Sequence, residues 1–181
     1  SDMTSAEAVL CVMGPNSRAL LQSLTSADMS NAAHPFGTAR EIDLGYARVR
    51  AARVTYVGEL GWELYVPSEF ARSVFVSLIE AGAPHGLKLA GLHAMDSCRT
   101  EKAYRHWGHD IAEEDTPLEA GLMFAVKLDK GNFIGRDALL KQREAGLKRR
   151  LVQFLLKDPD VMLYHDEPIY MNGRMLGRTT S

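Results

Sequence analysis

Tyr56-Val57-Gly58-Glu59-Leu60-Gly61-Trp62-Glu63 places two glycines within four residues, between one β-prone stretch that ends on a phenol and another that begins on a carboxylate. Glycine at that density permits a tight turn or a close approach of backbone to another group. Upstream, residues 40–43 and 47–56 have strand composition on either side of Gly45, and downstream residues 63–66 run β-prone to Pro67. The stretch therefore reads as a turn between strands, and its composition asks for a functional explanation.

The pattern continues outward on both sides. Residues 9–13 form an apolar run closed by Gly14 and Pro15, and Asn16 then stands as cap to a helix carrying Ala19, Leu20, Leu21 and Leu24. Residues 27–38, with Asn31, Pro35 and Gly37, read as a connecting loop. After Pro67, Ser68 and Glu69 open a helix with an apolar stripe of Phe70, Val74, Phe75, Leu78 and Ile79, ended by Gly82. Residues 87–92 lead into a further helix in which Met95, Cys98 and Ala103 share one side. Strand, helix, two or three strands and helices in this order predict an α+β fold, an antiparallel sheet with packed helices.

The second half is less periodic. Residues 104–121 read as a structured crossing loop, 122–128 as a strand, 131–135 as a turn and 136–144 as a helix ended by Gly146. Lys148-Arg149-Arg150 reads as a solvated hinge, followed by an apolar strand over 151–156 and a hairpin over 168–178 with a type I′ turn at Asn172-Gly173. The expected organisation is a partial domain over 4–147 and the truncated start of an all-β unit over 148–181, with about three strands where more are needed for independent stability. Ser1, Asp2 and Met3 read as a cloning remnant, and sequence beyond Ser181 is expected to have been removed.

Composition excludes several classes. With 181 residues, 46% of them hydrophobic, the chain is long enough for a core, and a net charge of −2 offers no broad positive field for nucleic acid. No apolar run reaches the ~20 residues that a membrane helix needs. The two cysteines, Cys11 and Cys98, have neither metal-site nor disulfide-framework spacing, and read as buried small hydrophobes in a reducing, cytoplasmic setting. There is no Gly-rich phosphate loop and no nucleophile elbow.

Among candidate sites, Tyr56 and Glu63 could face one pocket across the glycine turn, or Glu63 could be an ordinary surface residue of a strand. A carboxylate accepts two parallel hydrogen bonds from a planar guanidine-like heterocycle, such as the 2-amino-4-oxo edge of a pterin. His106, His109 and Asp110 have a loose metal-like spacing that lacks a fourth ligand, and read as loop hydrogen bonding. Glu113, Glu114 and Asp115 read as a solvated acidic face.

Several segments in order resemble one family. The stretch from Tyr56 to Glu63 resembles the Y-T-G-E-x-G-[FWY]-E motif of the glycine-cleavage T-protein (aminomethyltransferase) family. Gly91-Leu92-His93-Ala94-Met95-Asp96-Ser97-Cys98-Arg99-Thr100-Glu101 is similar to its G-L-x-A-R-D-x-L-R-x-E helix, and Thr116-Pro117-Leu118-Glu119-Ala120-Gly121-Leu122 to its T-P-x-E-A-G-L segment. Tyr104-Arg105-His106-Trp107-Gly108 and Leu128-Asp129-Lys130-Gly131-Asn132-Phe133-Ile134-Gly135 most resemble the C-terminal folate region of sarcosine and dimethylglycine dehydrogenases.

That resemblance implies the second half of the folate-binding fold plus the start of a C-terminal β-barrel. It also implies tetrahydrofolate as cofactor, bound by Tyr56, Glu63 and Phe124, with Glu63 on the pterin. FAD is expected in an absent N-terminal domain that oxidises an N-methyl amine substrate. The fragment would have no catalytic residue of its own, no metal, and a face through which it could oligomerise. A stand-alone aminomethyltransferase is the alternative, although its folate-binding arginine is Met95 here. A non-catalytic folate-binding assembly factor is a further one, without that group's K-G-C-Y-x-G-Q-E motif.

Overall fold

The structure, a computed structural model, describes residues 2–181, so Ser1 of the expected cloning remnant lies outside the described residues. The chain divides into two compact units, Ser1–Tyr104 and Arg105–Ser181.

The first unit is built on a four-stranded sheet. Its elements are β1 (Glu7–Met13), α1 (Ser17–Leu24), β2 (Ala39–Leu44), β3 (Ala47–Ala52), β4 (Gly61–Pro67), α2 (Ala71–Gly82) and α3 (Leu92–Glu101). The strand order is β1-β4-β3-β2 and every pairing is antiparallel. A two-residue turn with Gly45 at φ +61° joins β2 to β3. Alternation along the strands sends Val12, Ile42, Leu44, Val49, Ala51, Trp62, Leu64 and Val66 to one face, where they pack with Leu20 and Leu21 of α1 and Val74 and Leu78 of α2. The α+β reading and the antiparallel sheet therefore hold.

Local details differ from expectation. The strand predicted over 47–56 ends at Ala52, and β4 starts two residues early, at Gly61. Asn16 occupies the cap position of α1, but its amide donates to the His85 carbonyl 3.0 Å away instead of capping. Residues 68–70 form a 3₁₀ turn before α2, and Phe75 is exposed. On α3 the buried residue is Arg99, whose guanidinium is held by Asp96 at 3.0 Å and the Tyr104 carbonyl at 3.3 Å. A charged group with that many partners outcompetes the apolar side predicted from Met95, Cys98 and Ala103. Both cysteines are exposed rather than buried.

The core has a polar centre. Trp62 and His34 are both fully buried, and the indole Nε1 donates to His34 Nδ1 at 3.3 Å, fixing the imidazole as its Nε2–H tautomer. Arg53 donates to the His34 carbonyl at 2.7 Å and, with Arg18, lies over the indole ring at 5.7 and 5.8 Å.

The second unit contains α4 (Arg136–Ala145) and a hairpin of β5 (Pro168–Met171) and β6 (Arg174–Arg178). Asn172 at φ +53° and Gly173 at φ +77° form the turn, as the type I′ reading requires. The strand predicted over 122–128 is instead a 3₁₀ turn, Met123–Ala125, with no strand on either side of it. The segment predicted as a strand over 151–156 has no regular secondary structure, and Val152, Phe154 and Leu155 are exposed. Apolar composition alone does not make a strand where no neighbour supplies hydrogen bonds. Arg149 is no idle hinge residue, since it pairs with Asp115 at 2.9 Å and Glu119 at 3.3 Å. That pairing also draws Asp115 out of the solvated role predicted for the acidic run.

Burial, helped by the Arg40 and Arg53 charges, lowers the His34 pKa below its ordinary value. The unfolded chain takes up a proton near pH ~6.5 that the folded protein resists, so stability is present above that pH and lost as pH falls through it. We expect unfolding free energy from urea titrations to decline by up to ~1.4 kcal/mol per unit below that pH, and the decline to flatten in His34→Gln.

Candidate functional site

Strand β4 carries the candidate carboxylate on the sheet face opposite the helices. Because the strand alternates, Trp62, Leu64 and Val66 enter the core while Glu63 and Tyr65 project from the other side. Glu63 is half-buried and lies opposite Cys11 of β1 and Ala52 of β3. Both neighbours are small, which leaves space over the carboxylate. The Tyr65 hydroxyl donates to Glu63 Oε2 at 2.9 Å, and this bond, with the Glu63 charge, raises the Tyr65 pKa. Partial desolvation and then the Glu63 charge raise the Cys11 thiol, which keeps it protonated and a poor nucleophile.

Tyr56 stands at the start of the bend that leads into β4, also half-buried. Its ring meets that of Tyr104 edge to face, with centroids 6.2 Å apart. The end of α3 braces this bend. Lys102 lies directly against Gly58, whose φ is +75°, and its ammonium is 4.0 Å from Glu59. Gly58 is thus required both by its left-handed backbone and by the side chain packed on it. Gly61 is required for another reason: a Cβ there would fall 2.8 Å from the Val12 carbonyl oxygen and 2.5 Å from Met13 Cγ.

Tyr56 and Glu63 therefore sit at the two ends of one braced bend in the first unit. Phe124 belongs to the second unit, on the 3₁₀ turn, with 77% of its surface exposed. Met95 is half-buried on α3.

Two residues escaped the sequence reading: Tyr65, which bonds Glu63, and Arg50, which flanks Tyr65. Tyr65 was legible in principle, since residues i and i+2 of a strand share a face. Arg50 was not, because its place opposite Tyr65, with the guanidinium 4.7 Å from the ring centroid, depends on register.

His106, His109 and His165 in the second unit lie in a row with ring centroids 5.5 and 4.5 Å apart. Among the described residues no group of three or more His, Cys, Asp or Glu is arranged to hold a metal ion. None of the described helices is long and apolar enough to cross a membrane. A cavity of about 610 Å³ in the second unit is lined by Pro117, Val126, Phe133, Ile134 and Leu139 among others, and includes none of the predicted site residues.

The first unit is thus an antiparallel α+β sheet in which a braced glycine bend leads into the strand that carries Glu63. The GCVT N-terminal domain profile matches residues 1–130, and the chain belongs to that family. It is 46% identical to 4-methylaminobutanoate oxidase (formaldehyde-forming) of Paenarthrobacter nicotinovorans, over 99% of this chain and 22% of that protein. It is also 46% identical to the mitochondrial sarcosine dehydrogenase of Homo sapiens, over 93% of this chain and 18% of that protein. The chain thus spans about a fifth of the length of these curated relatives. Among solved structures it resembles the glycine cleavage system aminomethyltransferase T from Bartonella henselae, with a TM-score of 0.64, 28% identity, and coverage of 77% of this chain and 37% of that one. The expected resemblance to the T-protein family and its dehydrogenase branch is therefore correct.

Gly61→Ala tests the bend. The added methyl has no room against the β1 backbone, and overpacking of this kind costs ~1–3 kcal/mol. A lower urea midpoint with an unchanged denaturant slope is the expected result.

Proposed function

We propose that this chain is the tetrahydrofolate-binding part of an FAD-dependent N-methyl amine dehydrogenase of the sarcosine or dimethylglycine type. The observation that carries the reading is Glu63, a half-buried carboxylate held on a rigid strand beside small neighbours. The donor set suits the group: Glu63 has an oxygen to spare beside the one bonded by Tyr65, and a pterin edge offers adjacent N–H donors. Tyr56 supplies an aromatic edge at the other end of the bend. Tetrahydrofolate, when bound, would accept the one-carbon unit released by oxidation of the N-methyl amine. The residues here would bind and orient it, so their contribution to rate is positioning.

Flavin, amine substrate and the oxidation itself are assigned to the remainder of a longer protein, as are the other strands of a barrel begun by the β5–β6 hairpin. A reducing compartment suits the two unpaired thiols; sarcosine dehydrogenase of Homo sapiens is mitochondrial. The aminomethyltransferase reading is disfavoured by Met95, which offers no hydrogen-bond donor to folate.

Calorimetric titration with 5-formyltetrahydrofolate, followed in parallel by tryptophan emission, tests this. Saturable binding that weakens by roughly 10- to 100-fold in Glu63→Gln is expected from loss of a charge-assisted hydrogen-bond acceptor. Equal affinity in wild type and variant would remove Glu63 from the site.

A further inference from the structure

We propose that Tyr65 and Arg50 are positioning residues for the Glu63 carboxylate, forming with Glu7 a side-chain relay across three strands that aims Glu63 at its ligand. This rests on the folate reading above and adds how the site is oriented.

The relay follows from register. Arg50 on β3 is directly opposite Tyr65 on β4, and Glu7 lies at the adjoining end of β1, opposite Pro67. Glu7 Oε2 accepts from the Arg50 guanidinium at 2.9 Å, that guanidinium lies 4.7 Å from the Tyr65 ring centroid, and the Tyr65 hydroxyl donates to Glu63 Oε2 at 2.9 Å. All four project from the sheet face that the helices leave open.

The need for such a relay comes from the glutamate side chain. Its terminal carboxylate torsion is broad and roughly two-fold, so a strand fixes the Glu63 Cα without fixing the plane of its oxygens. One hydroxyl bond to Oε2 selects an orientation, leaving Oε1 and the second lone pair of Oε2 to receive a ligand. Tyr65 can do this only if its own ring is held, and the Arg50 guanidinium supplies a flanking contact on that ring. The Arg50 side chain is 52% exposed and Glu7 34%, so the outer link contributes little stability. Its effect is on direction.

The core residues do not explain this set. Tyr65, Arg50 and Glu7 lie outside the buried cluster, and their contacts run toward Glu63 and not toward the helices.

The test is a double-mutant cycle on the full-length protein, read by calorimetric titration with 5-formyltetrahydrofolate. Tyr65→Phe should weaken binding by roughly 5- to 10-fold, in line with loss of one hydrogen bond to a charged group that is partly in water. The same change in a Glu63→Gln background should alter affinity by less than about 2-fold, because coupled residues are non-additive. Arg50→Gln should weaken binding by about 2- to 3-fold and have no further effect beside Tyr65→Phe. A Tyr65→Phe effect of equal size in both backgrounds would mean that Tyr65 does not act through Glu63, and would overturn the proposal. So would unchanged affinity of Tyr65→Phe in a protein that binds the folate.

No binding by the wild-type protein would instead overturn the folate reading and this role with it. A ligand-free measurement keeps the link itself open to refutation. The Tyr65 phenol, followed by ultraviolet absorbance against Tyr65→Phe, should ionise at a lower pH in Glu63→Gln. An unchanged ionisation pH would show that the bond is not made.

Discussion

The pleat of β4, pinned at Trp62, is the constraint on which the rest of the site depends. A strand has a side-chain period of two, so one residue of slip would place the Glu63 carboxylate in the core and expose the indole. Trp62 makes that slip prohibitive: it is fully buried, bonded to a fully buried His34 and flanked by two guanidinium groups. A buried indole without an acceptor would leave an unpaired N–H, so His34 sets where Trp62 can sit as well as how deeply. The position of Glu63 on the opposite face is therefore inherited from packing on the core side.

The same strand divides two physical regimes. On its inner face, apolar burial against α1 and α2 dominates, and there the buried indole N–H finds its acceptor in His34 Nδ1. On the outer face, charges alternate across strands: Glu7 with Arg50, and Arg48 with Glu41 at 2.8 Å. These pairs are partly in water, and their separate contributions to stability are small. They nonetheless keep that face polar and give the carboxylate neighbours of fixed sign. Cys11 registers that sign, its thiol pushed up first by partial burial and then by the adjacent Glu63 charge.

Much of the first unit was legible in the sequence because its signals are local. Strand-like composition marked the strands, Gly45 and Gly14 marked their ends, and the 3.6-residue stripe of Val74 and Leu78 marked α2. The candidate carboxylate was legible through its glycine-rich setting. What escaped were pairings between distant residues: Arg50 beside Tyr65, Asn16 with the His85 carbonyl, and Arg149 with Asp115. The predicted strands over 122–128 and 151–156 failed for a related reason, since composition gives a residue's preference for a pleated surface but not the existence of a partner strand. Arg99 inverted the expectation for α3 because a helix buries whatever side chain finds partners, and Asp96 and the Tyr104 carbonyl supply them.

The arrangement also explains why the bend and the strand carry different kinds of contact. Hydrogen bonds to a flat heterocycle demand direction, and a directional acceptor belongs on the most rigid element available. Glu63 is on a strand paired on both sides. Aromatic contact tolerates more error in angle, so in the proposed folate site Tyr56 would serve from a bend provided that the bend does not drift. Its restraints come from α3, through Lys102 on Gly58 and through the Tyr104 ring on Tyr56. Tyr104 in turn follows the end of a helix anchored by buried Arg99, which holds the Tyr104 carbonyl. The work of Arg99 is thus internal: by holding the Tyr104 carbonyl it keeps the Tyr104 ring against Tyr56, and so keeps the bend in step with the strand that carries Glu63.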